Sequence, residues 1–315
     1  MSVQSLIDKS GFIRPYPLDP QLRLARLAET PGEKALVLDT DTYNEIDDQF
    51  ALAYARRSPG QLKLKRVYAA PFHNSRSTGP EDGMERSFEE ILRVHAALGE
   101  PADGVVFKGS RQFLEDCEQP PASDAADDLI ECALASATPL YVVSIAAPTN
   151  IASAILRRPE IIGRIIVVWL GGHPRHCPST REFNLRQDVL ASRVLFDSGV
   201  PLVLVPCRQV AELLLSTVPE VEKWLHGKSA IGDYLCRIFA EFSQDHFGWS
   251  RSIWDVAAVA WLIDTSWFES VVVPSPAFSN DFHWLPEDAS RHPVRIVNYL
   301  KRDPIFRDLF RKLQD

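Results

Sequence analysis

Short apolar runs alternate along this chain with longer stretches in which apolar residues recur every three or four positions. The runs at 35–39, 64–70, 104–108, 140–145, 164–170 and 201–205 predict strands. Two of them are apolar throughout, Ile165-Ile166-Val167-Val168-Trp169-Leu170 and Leu202-Val203-Leu204-Val205. Strands covered on both faces read this way. Helical spacing predicts helices over 47–57, 82–98, 124–137, 149–158, 188–198, 209–215, 229–245 and 253–264. The stretch 286–315, amphipathic with several Arg and Lys residues, predicts a closing helix or a pair of short helices. Alternation of this kind argues for an α/β fold with a doubly wound, mostly parallel sheet flanked by helices. Residues 1–32 read as an N-terminal extension, with a helical turn at Leu22–Leu27 stopped by Pro31-Gly32, and 33–315 as a single domain.

In doubly wound sheets, ligands sit beyond the carboxyl ends of the strands. The first predicted strand ends in Asp39-Thr40-Asp41, and Asp47-Asp48 open the helix that follows. With Glu45, five carboxylates crowd one strand-to-helix turn. Like charges so close repel, and a fold tolerates them mainly when a cation or substrate hydroxyls neutralise them. Helix capping accounts for Asp47 and Asp48 but leaves Asp39 and Asp41 unexplained. Oxygen ligands without nearby Cys or His favour calcium or magnesium over zinc. Other strand ends are polar as well: His73-Asn74, Thr149-Asn150, and Gly171-Gly172-His173 followed by Arg181-Glu182-Phe183-Asn184. Further on, Trp254-Asp255 opens an otherwise apolar helical run, where Asp255 by itself reads first as a helix N-terminal acid beside a core tryptophan.

Composition narrows the function classes. The chain has 315 residues, 45% hydrophobic and 24% charged, and a net charge of −8. That balance gives no electrostatic reason to expect nucleic-acid or membrane binding. No apolar run reaches the length of a membrane span, and the N-terminus lacks a signal peptide's apolar core. Five scattered cysteines without a C-x-x-C pair predict reduced thiols and a cytoplasmic protein.

Taken together, the acidic turn, Ala147-Pro148-Thr149-Asn150, Gly171-Gly172, Glu182-Phe183-Asn184 and Trp254-Asp255 occur in the order found in the nucleoside hydrolase family, and over residues 35–265 the chain resembles that family. The resemblance implies a Rossmann-like core and calcium-dependent hydrolysis of the N-glycosidic bond of a small-molecule ribonucleoside, in a homodimer or homotetramer. It implies that Asp41, Asp48, the Thr149 main-chain carbonyl and Asp255 hold the ion. Asp41 would also act as the base toward water, while Asp47, Asn74, Glu182 and Asn184 bind ribose hydroxyls. Trp254, where some members have a His, implies stacking on the leaving base and favours purines. His246 is the first candidate for a side-chain acid, and His176 the second. The chain departs from the family pattern in a loop between Asp41 and Asp47 that is two residues longer than usual. An alternative function on the same fold is binding of a nucleoside or ribosyl compound without turnover, or hydrolysis of a non-standard ribosyl substrate.

Overall fold

The structure is a computed structural model that describes residues 6–7, 13–28 and 31–314. The remaining parts of the N-terminal extension, 1–5, 8–12 and 29–30, lie outside the described residues.

Ten strands are described: β1 (Lys34–Thr40), β2 (Leu62–Ala69), β3 (Val106–Lys108), β4 (Leu140–Ser144), β5 (Ile165–Leu170), β6 (Leu202–Val205), β7 (Leu215–Ser216), β8 (Arg251–Ser252), β9 (Phe268–Pro274) and β10 (Pro293–Leu300). Eight of them form one sheet in the order β3-β2-β1-β4-β5-β6-β10-β9. Its neighbours are parallel except for β9, which runs antiparallel to β10. Strand order reverses between β1 and β4, the place where a doubly wound sheet opens a crevice beyond its strand ends.

Period-two side-chain placement explains why these strands read as continuous apolar runs. On β1, Leu36 and Leu38 enter one core and Val37 the opposite one. On β5, Ile166 and Val168 face the first core, while Ile165, Val167 and Trp169 face the second. The first core is covered by α2 (Asp47–Arg56), α3 (Pro80–Leu98), α8 (Val218–Leu225), α9 (Ala230–Glu241), α10 (Val256–Ile263) and α11 (Arg302–Leu313). The second is covered by α4 (Asp124–Ala135), α5 (Thr149–Arg157) and α7 (Val189–Asp197). The short helix α6 (Phe183–Gln187) sits above the strand ends. Helix α1 (Pro20–Leu27) is capped by Asp19 and docks on the sheet where the Arg295 Nε donates to the Leu27 carbonyl at 2.7 Å.

Three expectations are corrected. The segment 286–315 is a strand and then a helix, because Pro293–Leu300 alternates buried and open positions and pairs with β6 and β9, leaving only α11 helical. The predicted helix over 209–215 is a single 3₁₀ turn, Ala211–Leu213, followed by β7. Gln209 holds a left-handed φ of 59°, which an α-helix does not admit, and Leu215 and Ser216 pair with β8. The helix expected over 229–245 stops at Glu241. Ser243 Oγ donates to the Asp245 carbonyl and the Asp245 carboxylate accepts from Phe247 N–H, so local bonds replace helical ones.

Trp169 shows how tightly the second core is filled. The side chain is fully buried, packs edge-on against Phe196 at 5.7 Å between centroids, and donates its indole N–H to the Ala146 carbonyl at 3.1 Å. Trp169→Ala is expected to lower unfolding free energy by about 3–5 kcal/mol in urea denaturation. Phe247→Ala, at a side chain 97% exposed, is expected to change it by less than about 0.5 kcal/mol.

Candidate active site

Strand β1 delivers its terminal carboxylate into the sheet rather than into solvent. Asp39 is fully buried, and its oxygens accept from Asn150 Nδ2 at 2.8 Å and Ser144 Oγ at 3.1 Å. Burial pushes its pKa up to about 7. Asp39 therefore braces β1 against β4 and the start of α5, and it does not face the crevice. The next residues turn outward. Thr40 donates its hydroxyl to Asp48, Asn44 N–H closes the turn on the Asp41 carbonyl at 2.7 Å, and Gln49 Nε2 holds the Thr42 carbonyl at 2.8 Å.

Helix α2 then begins at Asp47, with Ile46 in the cap position and no side chain bonding the free N–H groups. Asp47 and Asp48 are both buried without serving as caps. Asp255 stands at the start of α10 and likewise makes no capping bond. Helices α2 and α10 pack against each other. Alanines along both, Ala51, Ala53, Ala257 and Ala258 among them, let the two starts lie together. One carboxylate oxygen from each of Asp47, Asp48 and Asp255 lies within 4.8 Å of the others.

Asp41 completes this wall, and its Oδ2 is buried without any hydrogen-bond partner. The pKa values of Asp41, Asp47, Asp48 and Asp255 are all raised, first by burial; neighbouring charge then raises Asp41 and Asp255, through the other aspartates first, and Asp47, through Glu45 first and then Asp48. Asp48, held by the Thr40 hydroxyl, sits at about 7. Arg251, ion-paired with Glu45, relieves Asp47 in part.

The acidic wall forms one end of a cavity of about 350 Å³, within the usual size for a small-molecule site. Trp254 lines it, half-buried, with the Arg251 guanidinium 5.0 Å from its ring centroid. Glu182 and Asn184 line it from α6. The Glu182 carboxylate caps α6 by accepting from Asn184 and Leu185 N–H, and it also accepts from Gly172 N–H at 2.9 Å. Gly172 holds φ +66°, and a Cβ there would sit 2.8 Å from Thr180 Oγ1, so the turn that offers this N–H requires glycine. Asn184 Nδ2 donates to the Leu170 carbonyl at 3.0 Å.

Four anticipated residues turn their side chains away from the cavity wall. Asn74 reaches it only through Asn44, to whose Oδ1 it donates at 2.6 Å. Thr149 is fully buried at the start of α5, its hydroxyl turned to Asp188 at 2.7 Å. His246 lies in the exposed loop after α9, its ring nitrogen 2.9 Å from the Ala240 carbonyl, and His176, also exposed, bonds Gln209. Conversely, Arg186 and Arg208 line the cavity without having been singled out by sequence. Arg208 follows β6, so the strand-end rule would have reached it had the 201–205 strand been followed into its loop.

The model of the family described as inosine-uridine preferring nucleoside hydrolase matches residues 36–296. Among characterised relatives, the pyrimidine-specific ribonucleoside hydrolase RihA of Salmonella enteritidis PT4 is 23% identical over 264 residues, 75% of this chain and 81% of that protein. The non-specific ribonucleoside hydrolase RihC of Shigella flexneri serotype 5b is 24% identical over 248 residues, 72% and 78% respectively. Among solved structures, a plant nucleoside hydrolase superposes with a TM-score of 0.72 at 18% identity, covering 89% of this chain and 99% of its own. A purine-preferring ribonucleoside hydrolase from Gardnerella vaginalis gives 0.70 at 22%, covering 89% and 98%. The structural likenesses carry the fold, and the family match, spanning most of the sequence, establishes that this chain belongs to the nucleoside hydrolase family.

Proposed function

We propose that this protein hydrolyses the N-glycosidic bond of ribonucleosides, purine nucleosides foremost, in a calcium-dependent reaction that yields ribose and the free base. The observation that carries this reading is the unpartnered, buried Asp41 Oδ2 beside three further buried carboxylates in a cavity of substrate size. The donor set fits calcium: several carboxylate oxygens, with no thiolate and no imidazole in the cluster. Asp41, Asp48, Asp255 and the main-chain carbonyl of Thr149 would hold the ion. When bound, calcium neutralises the cluster and acidifies water at its surface.

The chain's own residues do the rest. Asp41 Oδ2, free of other bonds, accepts the proton of the attacking water. Asp47 and Asn184 bind ribose hydroxyls, and the carboxylates around Asp47 suit the positive charge that develops on the sugar. Glu182, committed to three N–H groups, orients Asn184 more than it contacts substrate. The indole of Trp254 offers the leaving base a stacking face, which favours the larger purine ring.

Calcium-loaded protein is expected to release ribose from inosine, guanosine and adenosine faster than from uridine and cytidine, and chelator is expected to stop it. Release that ignores chelator would remove the ion from the reaction, and binding of nucleosides without release would identify a binding protein. Trp254→Ala should lose more rate with purine than with pyrimidine nucleosides; equal losses would confine Trp254 to packing.

Asp41→Asn is expected to lower kcat about 10²–10⁴-fold with the fold intact by circular dichroism, the range for loss of a general base. Activity within a few-fold of the parent would transfer the role to another group.

Burial also sets a pH dependence. Asp39 and Asp48 move from 3.8 to about 7 on folding, so the folded protein binds these protons more tightly than the unfolded chain. The stability they contribute is full below the unfolded value and is lost as pH rises through about 7. Chelated protein should therefore melt at lower temperature at about pH 8 than at about pH 5, and calcium should raise the melting temperature most at the higher pH. A melting temperature that rises over the same interval in chelator would contradict the assignment.

A further inference from the structure

The cavity is lined by groups of both charges. Besides the aspartates it carries Arg181, Arg186 and Arg208, all exposed, with His173. Among the described residues none of the three arginines forms an ion pair. Elsewhere arginines of this chain do find carboxylates: Arg251 pairs with Glu45, Arg291 with Asp197 and Arg302 with Glu220. At the mouth the guanidinium groups rest on aromatic rings instead, Arg181 at 5.7 Å from the Phe282 centroid and Arg186 at 5.0 Å from that of Phe183. Ring faces orient an arginine without discharging it. His173 adds a buried Nδ1 with no hydrogen-bond partner. Glu212, which also lines the cavity, accepts the N–H of Gln209 at 3.0 Å and pairs with none of the three arginines. In a chain of net charge −8, three unneutralised arginines around one opening run against the overall balance.

Position within the site says which part of a substrate they meet. Arg181 and Arg186 flank Glu182 and Asn184 around the start of α6, whereas Asp41, Asp48 and Asp255 come from the turn after β1 and the starts of α2 and α10, with Trp254 next to Asp255. With ribose hydroxyls toward the aspartates and the base on Trp254, the remaining arm of the sugar, C5′, points to α6. Arg208 is presented there by a backbone bent at Gln209, whose φ of 59° is rarely adopted by a residue with a side chain. We propose that the arginine mouth is a phosphate subsite, and that the preferred substrates are ribonucleoside 5′-monophosphates.

A phosphomonoester carries about −1.5 to −2 charge at neutral pH and presents oxygens that match the planar donor fork of arginine. The reaction balances as a hydrolysis: the oxygen of water bonds to C1′, the C1′–N bond breaks, and one proton passes to the departing base. The products are ribose 5-phosphate and free base. This inference rests on the N-ribosyl hydrolase reading above and sharpens its substrate class.

The test compares base release by the calcium-loaded protein from inosine, inosine 5′-monophosphate, uridine, uridine 5′-monophosphate and orotidine. Calorimetry with ribose 5-phosphate and with ribose accompanies it. Nucleotides should exceed the matching nucleosides in kcat/KM, and the advantage should shrink as salt is raised. Arg181→Ala, Arg186→Ala and Arg208→Ala, all at exposed positions, should each cut the nucleotide-to-nucleoside ratio by roughly tenfold or more and weaken ribose 5-phosphate binding. Nucleosides cleaved as fast as their 5′-monophosphates would overturn the proposal and leave the hydrolase reading standing. Preference for orotidine over the nucleotides would also overturn it, assigning the arginines to a carboxylate on the base. No base release from any compound, with ribose 5-phosphate still held through the arginines, would sink the hydrolase reading while upholding the subsite. Failure to bind ribose 5-phosphate would sink the subsite itself.

Discussion

Mutual repulsion among four buried carboxylates is the constraint around which the rest of this structure is arranged. Asp41, Asp47, Asp48 and Asp255 cannot all ionise in a dry pocket, and each is pushed toward its protonated form. The fold eases this strain without removing it. Two helices, α2 and α10, begin at the cluster, and each directs its positive dipole end toward the acids. The residue in the cap position makes no side-chain capping bond at either start. Residual negative charge is thus kept in place for something that binds, which is the arrangement expected of a cation and sugar site rather than of a structural ion-pair network.

Keeping four repelling groups together requires a rigid frame behind them, and the sheet supplies it. Asp39 ties β1 to Ser144 on β4 and to Asn150 on α5, and the same Asn150 accepts Ser110 N–H at 2.8 Å from the loop after β3. A buried network in which every member is bonded holds geometry well, since each broken bond would leave an unpaired polar group inside. Small residues do the remaining work. Alanines on α2 and α10 permit close packing, and larger side chains there would separate Asp48 from Asp255.

What the sequence disclosed follows from how locally each feature is encoded. The central strands were legible because burial on both faces leaves an unbroken apolar run, and the acidic turn because its residues are neighbours in the chain. Strands β9 and β10 were not: β9 is the partly open edge strand, and polar residues such as Arg295 and Asn298 break the apolar run of β10 beside it, so Pro286–Asp315 passes for amphipathic helix. Asp255 stood out only as one acid in an apolar run; that it meets Asp48 depends on the packing of two helices more than two hundred residues apart in sequence. His246 was misplaced for the converse reason. Nearness in sequence to Asp255 suggested an approach to the site, but the helix ends at Glu241 and the loop that follows is exposed. Arg186 and Arg208 carry no pattern at all, since a lone arginine in sequence is by default a solvated one, and only the fold reveals that they share an opening and lack partners.

Glu182 links three segments that line the cavity. Its carboxylate receives N–H groups from Asn184 and Leu185 on α6 and from Gly172 after β5, and it lies against the Cys207 thiol after β6. One side chain thereby fixes Asn184, the glycine turn leading to His173, and the loop carrying Arg208. Loss of the carboxylate would free three buried N–H groups and loosen all three segments together, and an amide at this position would set a donor against those donors. Glu182 is thus a positioning residue, and its influence on catalysis and on phosphate recognition would run through the same hydrogen bonds. Its oxygens are taken up by those backbone N–H groups, and among the described residues it forms no ion pair with the arginines that line the same cavity.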